Sequence, residues 1–213
     1  FDGADHTIKN LYIDSTANNN AMFLKTDGAS ISNIVIDSAD ITGGHFTGAL
    51  IGEVVNNDTV VENVTVSNST VSSVAHSNVG GVVGQNKSGT LTLTDVTVSN
   101  STITSGSTNV GGLVATSTAN NLTITNSHVV DSDVSGSGKV GGLVAEVKSA
   151  LTVTNSHVTG GTVSKLDTGG THEVGGLVGN VVVNSANVTI DGSSANTAIT
   201  NTWGYYNGGL IGL

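Results

Sequence analysis

The sequence predicts an all-β fold, a right-handed parallel β-helix built from coils of about 30–34 residues each. Three observations carry it: a glycine-rich element that returns at a near-constant interval, a second apolar element that alternates with period two, and a composition hostile to helix. The 213 residues are read as one domain, spanning 1–213 and holding about seven repeat units.

The first element appears as TGALIG (47–52), VGGVVG (79–84), VGGLVA (110–115), VGGLVA (140–145), VGGLVG (174–179) and NGGLIG (207–212). Its leading glycines, Gly48, Gly80, Gly111, Gly141, Gly175 and Gly208, lie 32, 31, 30, 34 and 33 residues apart. A period of that size is the mark of a solenoid or a propeller, in which each unit buries its apolar face only against its neighbours. A propeller blade needs four antiparallel strands in roughly 40 residues, and these units are short for that.

The second element opens each unit: TIKNLYI (7–13), SISNIVI (30–36), VENVTV (61–66), LTLTDVTV (91–98), LTITNSHV (122–129) and LTVTNSHV (151–158). Apolar and hydroxyl residues alternate in Leu122-Thr123-Ile124-Thr125, so a strand there turns its aliphatics inward and its threonines outward. Aligning the copies sets Asn10, Asn33, Asn63, Asp95, Asn126 and Asn155 in one column, where stacked amides can hydrogen-bond from coil to coil. A short third strand, ending at Ile41, Val71, Ile103, Val134 or Val163, links the two elements.

Composition agrees and excludes. Branched residues with Ser, Asn and Gly dominate, Pro and Cys are absent, and such side chains suit a pleated surface. Only 10% of residues are charged, none is Arg, and the net charge is -10, which repels phosphate backbones and anionic membrane surfaces. Nucleic acid is excluded as a partner, and the apolar runs are far shorter than the roughly 20 residues of a spanning helix. No cofactor or resident metal is expected.

The opening FDGADHTIKNLYI and the recurring VGGLVG resemble the GLUG-motif repeats of bacterial surface proteins, among them autotransporter-like passengers and IgA peptidase stalks. The resemblance runs over essentially the whole chain. It implies an extracellular or cell-surface location and a structural or adhesin role, with no enzyme activity. Partners would be other segments of one longer protein, neighbouring subunits, or host and matrix glycans or proteins. The chain departs from the pattern at AMFLK (21–25), which lacks the glycines, and at Ala49, so the first coil is expected to be irregular. Neither end carries a polar cap, which suggests a fragment of a longer protein.

Candidate functional residues follow from the columns. Leu50, Val82, Leu113, Leu143, Leu177 and Leu210 each precede another aliphatic, and in a regular strand one of two neighbours must face outward. Either a corner turns both inward or the leucine column is a contact stripe. Trp203, Tyr205 and Tyr206 cluster three aromatics that could hold a sugar or cover an open core. Asp131 and Asp133 are spaced like paired glycosidase carboxylates on one strand face, which supports a rival reading as a carbohydrate-binding or carbohydrate-active β-helix. His128 and His157 share a column, about 5 Å apart if the coils stack in register. Two ligands fall short of a zinc site. The threonine pairs Thr92/Thr94, Thr123/Thr125 and Thr152/Thr154 form an outward array of the kind ice-binding solenoids present, a third reading.

Overall fold

The computed structural model is a parallel β-solenoid of about six turns without helix among the described residues, which are 1–73, 78–106, 109–118, 120–166, 173–182, 187–200 and 206–212. One coil shows the plan. Leu91–Ser99 and Thr102–Ser105 lie in the first sheet, Val110–Gly111 in a second, and Val114–Ser117 in a third. Every strand pairing among the described residues is parallel and joins a strand to its counterpart one coil away, as in Leu91↔Leu122 and Leu122↔Leu151.

The core is a set of continuous aliphatic columns. Leu91, Leu93, Val96, Val98, Ile103, Val110, Leu113 and Val114 of one coil are all fully buried, and their counterparts above and below repeat the pattern. Burying each such side chain stabilises by about 1.5–3 kcal/mol, which offsets the ordering entropy of a chain that has no disulfide.

The long first strand bends, and the bend explains the asparagines. Asn33, Asn63, Asp95, Asn126 and Asn155 all have φ between 47° and 56°, in the left-handed region that Asn and Asp tolerate best among residues with a side chain. The stacked amides do bond in places, with Asn63 Nδ2 donating to Asn33 Oδ1 at 2.9 Å. Backbone conformation is the constraint shared along the whole column.

Asn10 does not belong to that column. The register places Lys9 against Asp37, so Asn10 stands level with Ser38, and its N–H donates to Asp37 O as that of Ser38 does to Ser67 O. It opens a second left-handed column, Asn10, Ser38, Asn68, Asn100 and Asp131, five residues after the first.

Serines close many of these left-handed bends, where the N–H after the left-handed residue donates to a serine hydroxyl of the neighbouring coil, as from Ala39 to Ser69 and from Val96 to Ser127. Ser69 N donates to Ser101 Oγ and Ser101 N to Ser132 Oγ, both at 3.1 Å, while Ser101 Oγ donates to Ser99 O at 2.7 Å. A parallel ladder at the first corner runs from Ser127 N to Ser156 Oγ and from Ser156 N to Ser193 Oγ. Replacing Ser101 by Ala strands the buried N–H of Ser69. A loss of about 1–3 kcal/mol is expected, read as a lower denaturation midpoint, with Ser99→Ala as the control that leaves the ladder intact.

The glycine element is a corner, not a single strand. Val110–Gly111 ends the second sheet, Gly112 and Leu113 make the turn, and Val114–Ser117 starts the third. The N–H groups of Leu113 and Val114 both donate to Leu143 O, at 2.9 and 3.0 Å, and the same double bond to one carbonyl recurs at Leu143/Val144 on Leu177 and at Leu177/Val178 on Leu210. A Cβ on Gly111 or Gly141 would lie 2.0 or 1.9 Å from the carbonyl oxygen three residues on.

The first coil is irregular, as expected from AMFLK. It has no strand in the second sheet, and Met22 and Phe23 donate to two different carbonyls, Ala49 O and Leu50 O.

Candidate functional site

The leucine column is not a contact stripe. Leu50, Val82, Leu113, Leu143 and Leu177 are fully buried, because the corner rotates two consecutive side chains into the core. Leu210, in the last coil, is 44% exposed.

What the coils present outward is a ruled polar face. Thr92, Thr123, Thr152 and Thr189 form one column, and Thr94, Thr125 and Thr154 the next, which ends at Asp191. On the first side the columns continue into Val60 and Glu62. Along the short strands Thr42 pairs Ser72 through their hydroxyls at 3.0 Å, and Ser135 donates to Thr104 at 2.9 Å.

His128 and His157 stack within that face, their ring centroids 5.3 Å apart and their planes 3° from parallel. His157 Nδ1 lies 2.8 Å from Ser194 Oγ in the next coil. Partial burial, and then the neighbouring imidazole, hold His128 below the ordinary histidine value, against the opposing pull of Asp95. A base whose folded value is depressed binds its proton first in the unfolded chain. Its contribution is therefore complete above about pH 6.5 and shrinks as pH falls from there toward the lower folded value. The melting midpoint of the native chain should drop between about pH 7.5 and pH 5.5 by more than that of His128→Thr, which installs the residue that Thr97 supplies one coil away.

Asp131 and Asp133 do not share a strand face. Asp131 is a left-handed corner residue, φ 46°, and its N–H donates to Thr159 O at 2.8 Å, whereas Asp133 begins the next strand. Asp133 Oδ1 accepts the hydroxyl of Thr162 at 2.7 Å. The corner between them breaks the alternation that the spacing assumed. Asp40 is level with Thr70, Thr102 and Asp133 in turn, three coils from the last. Trp203 and Tyr205 lie outside the described residues, and Tyr206 is 43% exposed at the start of the Tyr206–Gly208 strand.

Sequence reasoning passed over a polar column at the mouth of the glycine corner. Lys25, Glu53, Gln85, Thr116, Glu146 and Asn180 stand in register along the third sheet. Glu53 and Glu146 are almost wholly buried there, and each is held by two lysines. Lys25 and Lys87 reach Glu53 at 2.9 and 3.7 Å, while Lys139 and Lys148 reach Glu146, the latter at 3.4 Å. The ammonium groups sit at the rim with their stems covering the carboxylates. The signal was present in Lys139-VGGLVA-Glu146, where opposite charges flank one corner.

Comparison with known proteins bears on the fold. No family model and no curated protein matches the chain. Among solved structures it is similar to the crystal structure of a putative immunoglobulin A1 protease from Bacteroides ovatus, with a TM-score of 0.73 and 17% sequence identity, covering 99% of this chain and 68% of that one. The class defined is thus the β-solenoid, shared at fold level with that protein.

Proposed function

We propose that the chain is a structural and adhesive segment of a secreted or cell-surface protein, a non-enzymatic GLUG-type stalk that spaces or presents a contact surface. One observation carries it: successive coils meet through recurring serine ladders, shared corner carbonyls and aliphatic columns, so stability is propagated along an axis. That is the requirement on a spacer. Its partners are further coils of the same protein or neighbouring subunits, and matrix glycans or proteins on the polar face.

Displayed on a cell between an anchor and a tag, the segment should raise attachment to immobilised matrix proteins or glycans. Release of reducing sugar or peptide fragments by the purified chain, lost in Asp133→Asn, would instead establish a carbohydrate-active or proteolytic solenoid. A second reading, ice binding, is favoured by the in-register threonine columns alone. Thermal hysteresis that is abolished by Thr123→Lys would support it, and an absence of hysteresis in the native chain would remove it.

A further inference from the structure

We propose that Lys139 and Asn109 join in an intramolecular isopeptide bond, formed by the folded chain itself with Glu146 as the proton carrier. The inference stands independently of the adhesive reading.

Topology brings the three residues together. Val110 pairs Val140, so Asn109 and Lys139, the residues just before them, occupy equivalent places in adjacent coils. The glycine corner then reverses the chain, so that a residue seven positions later faces the first. Thr116 meets Asn109, with Asn109 Nδ2 donating to Thr116 Oγ1 at 3.3 Å, and Glu146 meets Lys139.

Glu146 bridges the pair. Its Oε1 accepts from Lys139 Nζ, and its Oε2 accepts from Asn109 Nδ2 at 3.2 Å. The amide oxygen of Asn109 accepts the backbone N–H of Lys139 at 3.3 Å. One carboxylate thus holds the attacking amine on one oxygen and the departing amide nitrogen on the other, while a fixed N–H points at the oxygen where negative charge develops. The Glu146 side chain is 5% exposed and that of Lys139 26%, so the carboxylate that relays the proton is largely shielded from water.

The chemistry balances without an outside reagent. Glu146 takes a proton from the Lys139 ammonium, and the free amine attacks Cγ of Asn109 to give a tetrahedral centre whose oxyanion rests on the Lys139 N–H. Glu146 then delivers a proton to Nδ2, the Cγ–Nδ2 bond breaks and ammonia leaves. The Nζ–Cγ amide remains, and the second proton of the attacking nitrogen returns to the carboxylate before passing to solvent or to the departing ammonia. Holding both reactants on one carboxylate replaces a bimolecular aminolysis by an intramolecular step. Equivalent positions in other coils, Asn78/Gln85 and Glu173/Asn180, contain no amine, so the reaction is confined to one step of the rod.

The test is the mass of the whole chain, measured under denaturing conditions after folding and incubation at neutral pH. The native chain should be lighter than its sequence by one ammonia, and digestion should yield a branched peptide joining Asn109 to Lys139. Lys139→Arg, Asn109→Ala and Glu146→Gln should each retain the full mass, with the β-sheet circular dichroism of the native chain showing that they fold. A folded native chain that keeps its full mass overturns the proposal. So does an ammonia loss that maps to a cyclic imide at another asparagine.

Discussion

Gly141→Ala is expected to destabilise the rod by about 3 kcal/mol or more, although it adds one methyl group. The φ of Gly141 is not among the positive values, so the cost is not one of backbone preference. It is clearance. The added carbon would lie 1.9 Å from Val144 O and 2.6 Å from Gly179 N, both backbone atoms that no rotamer change can move. Relief requires opening the corner, and that breaks the shared bonds from Leu143 and Val144 to Leu177 O. Because each coil rests on the next, the damage should spread to neighbouring coils and appear as a lower, broader melt by circular dichroism. Gly106→Ala is the control, since nothing lies within 4 Å of its added carbon, and it should be neutral or slightly stabilising. Equal melts for the two variants would show that the corner yields to a methyl group at no cost.

The same clearance explains why the fold was legible. A corner that admits no Cβ forces glycine into one column, coil after coil, and a forced residue is a visible one. The column of Asn33, Asn63 and Asp95 was visible for a related reason, since a left-handed backbone admits few residue types. Legibility failed where several residues solve the same problem. Ser38, Asn68, Asn100 and Asp131 fill the second left-handed column with three different types, so Asn10 was aligned to the wrong one. It also failed where the answer depends on direction rather than type. Two adjacent aliphatics break a period-two pattern, and only the turn of the chain decides that both point inward. The Lys139, Asn109 and Glu146 cluster depended on two relations at once, a 30-residue step between coils and a seven-residue step across a corner.

Leu143→Ala decides between a core and a surface role for the leucine column. The side chain is fully buried at the corner, with Leu113 and Leu177 as its counterparts one coil away on either side. Its removal loses the transfer free energy of the missing carbons and leaves a cavity that the flanking backbone, pinned by two bonds to one carbonyl, cannot collapse to fill. A cost of about 2–5 kcal/mol is expected, measured as a fall in the urea midpoint. Leu210→Ala, at a position 44% exposed, should stay within about 0.5 kcal/mol of the native chain. A contact stripe would give the reverse, with native stability in Leu143→Ala and weakened attachment in the cell-display assay. Leu143 truncation that left both the midpoint and the spectrum unchanged would mean that the corner does not turn its leucine inward.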